Sequence, residues 1–366
     1  MSHTIGIDAR MWPHPGIGRY LRETSFELLK NPAEFKFTFY GSPKVQEAIA
    51  EYPSASFQGA SSPIYSLKEQ WEMARLKPAP AILHVPHFNI PVFYPGRLVV
   101  TVHDLIYLHD PAASKSRFGR AYVRFLLKTL SKKAAAVIAV SEFTKNDLLK
   151  QFSALDPKRV FVIHEAASEF FKPAAQETAK KYLNLRFGLT DTFALFVGTL
   201  KPHKNISVLV EAMSRARKKQ GFSEKLVVVG RKDAKFPEIE KLVKGEKFIQ
   251  YLGEVSDEDL RILYSLASVF ILPSLWEGFG IPVLEAMACG APVISSNAAS
   301  LPEAAGDAAE LFHPKDADAL EKLLCQVLSD PAKRAAMSEK SLKQAARFSW
   351  KKAAAETLSV YRKVLA

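Results

Sequence analysis

The sequence predicts an α/β chain of two doubly wound, Rossmann-like domains facing a central cleft, on three observations. Short β-branched runs alternate with amphipathic stretches at helical spacing, the pattern of parallel sheets covered by helices. The strand series stops near residue 170 and then begins again. A length of 366 residues, 48% hydrophobic and 24% charged, gives ordinary globular composition and room for two domains.

In chain order, the first domain's strands read "HTIGID", "FKFTFY", "AILHV", "RLVVTVH", "AAVIAV" and "RVFVIHE". The second series reads "TFALFVG", "KLVVVG", "FIQYLG", "SVFILP" and "APVISS". Helical patterns separate them, among them "ISVLVEAMSRARKKQ" and "SDEDLRILYSLA", the latter with Ser256 as N-cap ahead of Glu258 and Asp259. The break is expected in "EAASEFFKPAAQETAKKY", where the strand pattern stops and Pro173 precedes a polar run. The expected domains are 1–170 and 171–346, with a helix over 347–366 packing back on the first domain.

Several function classes are disfavoured at once. No run of about 18 apolar residues occurs, and "MSHTIGIDAR" lacks a signal-peptide pattern, so a cytoplasmic location is expected. The two cysteines, Cys289 and Cys325, lack the spacing of a metal site or redox pair and are expected buried and reduced. The net charge of +12 points to an acidic partner: nucleic acid, anionic lipid or a phosphate-bearing small molecule.

In open parallel sheets, ligands sit beyond the C-terminal strand ends, so the strand-to-helix loops are where chemistry is sought. "SVFILPSLWEGFGIPVLEAMACG" reads as strand, loop and helix, with Gly278 and Gly280 in the loop and Pro282 in the first helical turn. Glu277 falls in the loop and Glu285 in the helix. The amides near Phe279 to Ile281 form a helix start suited to phosphate. Two carboxylates flanking such a start suit the hydroxyls on either side of a phosphate, as in a nucleotide sugar. The competing reading makes Glu285 a dipole-stabilising first-turn glutamate and Glu277 a solvated loop residue.

A second loop, "GTLKPHKNISVLV", places Lys201, His203 and Lys204 before a helix whose cap is expected at Asn205. It suits a diphosphate, or is a solvated basic loop. The next strand ends in "VVVGRKD", putting Arg231 and Lys232 on the same edge. In the first domain, "GIDARMWPHPGIGRY" has Gly16 and Gly18 before a helix, weak evidence by itself. "VVTVHDLIYLHD" ends a buried strand in His103 and Asp104, where a structural and a functional histidine compete.

Taken together, these residues resemble the family 4 glycosyltransferases, retaining enzymes of the GT-B fold. The E-x7-E pair Glu277 and Glu285 carries the resemblance, with "GTLKPHKN", "YLGEVSDEDL", "PSLWEGFGIPVLEAMACGAPVISSNAASLPE", "VSEFTKNDL" and the opening "GIDAR…GIGRY" in support. The first-domain motifs look like those of bacterial mannosyltransferase-like members, which often build surface polysaccharides. The resemblance implies a catalytic group of His103, Lys204 and Glu277. It implies ribose hydroxyls on Glu285, donor hexose hydroxyls on Glu277 and the diphosphate on Lys204. Gly278, Phe279, Gly280 and Ile281 would complete the donor site, with Gly16 and Gly18 close to the diphosphate. Arg19, Tyr20 and Asp104 are the expected acceptor contacts.

One departure stands out: where many members carry arginine after the glycine of the G-x5-K loop, this chain has Thr199, so Lys201 or Arg231 is expected to supply the second charge. The implied reaction moves a hexose, mannose from GDP-mannose in the best reading, to a glycan or lipid-linked glycan with retention. No resident cofactor and no metal are expected, the nucleotide sugar being a substrate. "DAD" at 316–318 reads as a helix cap.

From Pro111 to Ser141 no acidic residue occurs, and Arg117, Arg120, Arg124, Lys128 and Lys132 share one helix face above Val123, Leu126, Leu127 and Leu130. This basic 115–133 helix is expected to touch anionic membrane at the inner face, or else is a solvated face. Competing functions are a nucleotide-sugar epimerase of the same fold and a non-catalytic nucleotide-sugar-binding scaffold. Nucleic acid is not an expected partner, because no binding motif accompanies the charge.

Overall fold

A computed structural model describes residues 3–110, 117–190 and 192–366. Two wholly parallel sheets organise them. The first contains β1 (His3–Asp8), β2 (Phe35–Gly41), β3 (Ala55–Gly59), β4 (Ile82–Val85), β5 (Arg97–Val102), β6 (Ala136–Ala139) and β7 (Val160–Val162). The second contains β8 (Phe193–Val197), β9 (Lys225–Val229), β10 (Ile249–Gly253), β11 (Val269–Leu272), β12 (Val293–Ser296) and β13 (Ala309–Phe312). Their orders are β3-β2-β1-β4-β5-β6-β7 and β10-β9-β8-β11-β12-β13. Both reverse direction between the first and fourth strand, the switch point at which doubly wound sheets open a crevice.

The sheets are covered on both faces, which is why their strands read as near-continuous apolar runs. In β8, Phe193 and Leu195 join one core while Ala194 and Phe196 join the opposite one, an alternation repeated in β9 and β11. Two strands escaped the sequence reading, β3 and β13. Each lies at the edge of its sheet, is only partly buried, and so lacks the apolar run by which the central strands are recognised.

The chain forms two compact units, residues up to Glu165 with Trp350–Ala366, and Ala166–Ser349. The junction precedes the expected 170/171 boundary because Ala167 already packs against the second unit's core, in which Phe171 is buried edge-on to Tyr264 at 6.0 Å. The helix Trp350–Leu365 belongs to the first unit, where the Tyr361 hydroxyl is 2.6 Å from His84 Nδ1. The helix Asp257–Leu266 is capped by Ser256 in a reciprocal box with Asp259. Asp316 caps its helix by accepting from the Ala319 amide at 2.8 Å. Cys289 and Cys325 are free and buried, and burial pushes the Cys289 thiol up to about 12. No helix among the described residues is long and apolar enough to cross a membrane. The expected basic helix runs over Arg117–Lys133, and Lys115 lies outside the described residues.

Candidate functional site

The second unit's switch point lies between the loops that follow β8 and β11. Beside it, the three backbone segments that end β8, β9 and β10 are stitched together. The Gly198 amide donates to Val229 O at 2.9 Å, Leu200 to Arg231 O at 2.9 Å, and Gly230 to Gly253 O at 2.8 Å. Gly230 has a φ of +137°, and a Cβ on it would stand 2.1 Å from Gly198 O. Only glycine permits that approach. Thr199 and Arg231 thereby sit on adjoining loops, Arg231 exposed and Thr199 half-buried.

Cations gather on these loops. Lys201 Nζ is 3.9 Å from Asp233. Burial holds the Lys201 ammonium below its ordinary value, and the like charges of Lys204, Lys235 and Arg231 act in the same direction against Asp233. Such mutual repulsion marks a place where an anion is favoured.

Lys204 ends a short 3₁₀ turn, Pro202–Lys204, and its Nζ lies 2.6 Å from Glu277 Oε1. The Ser274 hydroxyl donates to the same oxygen at 2.6 Å. Burial would raise the Glu277 carboxyl, but the Lys204 charge and these bonds prevail and keep it below its ordinary value, as a carboxylate. The β11 loop is held by Leu275 N donating to His203 O at 2.7 Å and by Ser300 donating to the Glu277 carbonyl at 2.9 Å. Asn205 stands at the expected N-cap position of the helix Ile206–Gln220, but its side chain makes no capping bond. It sits at φ +54° and its amide donates to the Pro273 and Pro314 carbonyls at 3.0 and 2.6 Å, pinning the two loops together.

The helix Ile281–Ala288 begins at Gly280, whose φ is +114°. The Phe279 side chain is buried against Phe348 at 5.4 Å, so that residue can offer a ligand only its backbone. Glu285 lies beyond the first turn and is 3% exposed, which sets aside the reading of a dipole-stabilising first-turn glutamate. The Tyr264 hydroxyl donates to its Oε2 at 3.3 Å.

In the first unit, His103 follows β5. Its Nδ1 is 3.0 Å from Glu165 Oε1 and its Nε2 is 3.0 Å from Pro86 O. Both partners are acceptors, so the site suits an imidazolium, which donates from both ring nitrogens. Burial would lower its pKa, but Glu165 and the Pro86 carbonyl raise it above the ordinary value. Asp104 accepts from the Ile106 amide at 2.9 Å and turns the chain, and Arg19 is half-buried.

Two expectations are corrected in this unit. Tyr20 is not a surface contact for an acceptor: it is 2% exposed, its hydroxyl is 2.9 Å from Thr101 Oγ1, and its ring meets His103 edge-on at 4.9 Å. Gly16 and Gly18 do not precede the helix. They lie in its first turn, which starts at Pro15 with His14 accepting from the Ile17 amide at 3.3 Å. Gly18 is required because a Cβ there would stand 2.5 Å from Trp12 O, whereas Gly16 has open space beside it.

The sequence reading missed Ser274, Ser300, Tyr264 and Glu165, because each acts through another residue and belongs to no motif. It also missed a buried cluster at the first switch point. Arg10 lies 2.5 Å from Asp8 and 2.8 Å from Glu69, and Asn89 donates to Glu69 at 2.6 Å. Alternating charges in "GIDAR" at a strand end were the available signal. Among the described residues no three His, Cys, Asp or Glu side chains group to hold a metal ion.

Comparison with known proteins gives consistent matches. Residues 183–344 match the family model of glycosyl transferases group 1, and residues 15–167 that of Glycosyltransferase Family 4. An O-antigen chain mannosyltransferase B of Escherichia coli is 30% identical over 96% of this chain and 97% of its own. Among solved structures, sucrose-phosphate synthase from Thermosynechococcus elongatus is similar with a TM-score of 0.80 at 22% identity, covering 99% of both chains. The Anabaena HepE protein in complex with UDP and glucose is similar with a TM-score of 0.78 at 16% identity, covering 98% of this chain and 99% of its own. At these identities the two structures speak for the fold.

Proposed function

The chain belongs to the group 1 glycosyl transferases, and on that premise we propose that it moves mannose from GDP-mannose to a glycan or lipid-linked glycan, with retention, in the synthesis of a cell-surface polysaccharide. The choice of mannose is supported by the likeness to the O-antigen chain mannosyltransferase, matched over nearly the full length of both chains. A nucleotide-diphosphate donor is supported by the single observation that carries the reading. Lys201, Lys204 and Arg231 converge on loops at the second sheet's switch point, beside the start of the helix Ile281–Ala288.

In this reading the diphosphate lies against Lys204, Lys201 and Arg231, near Thr199 and the Gly280 and Ile281 amides. Lys204 and Ser274 both engage Glu277 Oε1, so Oε2 is the oxygen assigned to donor hexose hydroxyls. Glu285 is assigned to the ribose hydroxyls, which would replace or join Tyr264 as donors to its carboxylate. As the bond from the anomeric carbon to phosphate breaks and the bond to the acceptor oxygen forms, the acceptor proton passes to a phosphate oxygen. The nucleoside diphosphate leaves with its charge balanced by Lys204 and its neighbours. The chemistry is electrostatic, and the two glutamates bind and orient rather than act as acid and nucleophile.

Calorimetry with GDP-mannose, GDP, UDP-glucose and UDP tests the proposal, on wild type and on Glu285→Gln. GDP compounds are expected to bind more tightly, and the substitution to weaken them roughly tenfold to a hundredfold, the worth of a charge-assisted hydrogen bond. Failure of every nucleotide to bind, or binding indifferent to Glu285, sinks the donor site. Proton NMR of the transferred sugar's anomeric signal separates retention from inversion.

A further inference from the structure

The loop between β11 and the helix Ile281–Ala288 is held by side chains that belong to other segments. The Asn205 amide donates to the Pro273 carbonyl, the Ser296 hydroxyl to the Ser274 carbonyl at 2.5 Å, and the Ser300 hydroxyl to the Glu277 carbonyl. Ser274, Ser296 and Ser300 are all buried. A buried hydroxyl needs an acceptor, and a backbone carbonyl is the usual one. Ser296 and Ser300 follow that rule, as do Ser265 on the Arg261 carbonyl and Ser338 on the Gly290 carbonyl in the same unit. Ser274 departs from it. Its hydroxyl donates to the Glu277 carboxylate at 2.6 Å, on the same oxygen that Lys204 holds at 2.6 Å.

Two donors on one oxygen orient a carboxylate better than a cation alone. The Lys204 ammonium is a point charge on a flexible four-carbon stem, and it attracts a carboxylate over a range of directions. A hydroxyl carried by a pinned loop adds the missing direction, so that Oε1 is held and Oε2 is left for a ligand. Ser274 is fully buried, whereas the Glu277 side chain keeps 12% of its surface open, so a ligand meets the carboxylate and not the hydroxyl. A hydrogen bond to the charged form also favours it, and Ser274 acts with Lys204 to keep Glu277 ionised against its burial. In the donor reading Lys204 has a second partner, the diphosphate. When Lys204 turns toward that anion, Ser274 is the donor that stays on Oε1.

We propose that Ser274 is a positioning residue for sugar transfer, its hydroxyl fixing the Glu277 carboxylate so that Oε2 faces the donor hexose. The inference rests on the donor-site reading and adds to it the group that orients the glutamate. A hydroxyl that served only the loop would, when lost, loosen Lys204 and Glu277 together and weaken nucleotide and nucleotide sugar alike. A hydroxyl that orients Oε2 serves the hexose alone. A nucleoside diphosphate has no hexose, so GDP and GDP-mannose separate the two roles.

The test is calorimetry of GDP and of GDP-mannose, from neutral pH downward, on wild type, Ser274→Ala and Ser300→Ala. Ser274→Ala removes the hydroxyl and keeps the carbonyl that Ser296 holds. It is expected to weaken GDP-mannose roughly tenfold to a hundredfold, the worth of a hydrogen bond to a charged group, and to leave GDP within about twofold of wild type. Retained GDP binding also establishes that the variant is folded. The acid loss of GDP-mannose binding is expected to begin at higher pH in Ser274→Ala, because a carboxylate without that donor takes up a proton more readily. Ser300→Ala leaves both donors on Oε1 and is expected to leave this onset where it is. Equal weakening of GDP and GDP-mannose by Ser274→Ala, no weakening of either, or the same shift of onset in Ser300→Ala overturns the proposal and leaves the donor site standing. A wild type that binds neither compound overturns the donor reading, and this proposal with it.

Discussion

His103, raised by its partners, and His84, lowered by burial, make opposite contributions to the pH dependence of stability. Glu165 and the Pro86 carbonyl raise His103 above the ordinary 6.5, so its stabilising contribution is complete below 6.5 and is lost as pH climbs through the raised value. His84 is buried between the Tyr361 hydroxyl and Thr101 Oγ1 and is pulled down to about 3 by burial. The unfolded chain therefore binds a proton below 6.5 that the folded chain refuses, and stability falls with pH from there. Burial lowers His87 too, in the same direction. Urea titrations are expected to show about 2 kcal/mol lost per buried histidine at about pH 5 relative to neutrality. Glu165→Gln is expected to lower the His103 pKa in an imidazole NMR titration. An unmoved pKa would mean that Glu165 does not hold the charge. Lys204→Met would leave Glu277 a carboxylate without its cation, and kcat/KM is expected to fall by about a hundredfold or more in a mannosyl-transfer assay.

At the scale of elements, two contacts are expected to matter more than composition suggests. Gly230→Ala drives a Cβ into the Gly198 carbonyl at a φ of +137° that alanine resists, so the 198–204 and 230–233 loops must part. A loss of about 3 kcal/mol or more and of GDP binding is expected, by denaturant titration and calorimetry. An alanine variant as stable as wild type would show that the two loops are not wedged. The C-terminal helix is tied to the first unit by the chain Tyr361–His84–Thr101–Tyr20. Tyr361→Phe leaves His84 Nδ1 buried without that partner and is expected to cost about 1 to 3 kcal/mol. This helix was legible in sequence from its apolar stripe, but its hydrogen-bonding partner 277 residues away was not. The edge strands β3 and β13 were illegible for a related reason: half-exposed strands carry mixed side chains and are defined by the neighbour they pair with.

For the whole molecule, two sheets that repeat one strand order give two units, each with its own core, and the candidate donor site belongs wholly to the second. A nucleotide that binds there is expected to stabilise that unit, by about 2.7 kcal/mol at a hundredfold excess over Kd. Hydrogen exchange is expected to show the added protection in residues 198–205, 230–233 and 274–285. Protection centred on the first sheet instead would move the nucleotide site.

The sequence by itself determined the α/β class, the two parallel sheets and the loops that follow β8 and β11, because apolar periodicity and glycine-punctuated strand ends are local properties. It also contained Glu277, Glu285, Lys204 and His103 as candidates. Tertiary structure alone decided how these groups are partnered. It joined Lys204 to Glu277 across 73 positions and His103 to Glu165 across 62, turned Tyr20 inward, and set the hydroxyls of Ser296 and Ser300 on the loop that carries Glu277. Those outcomes depend on which strands lie side by side and which helix faces are covered, and no local pattern encodes either.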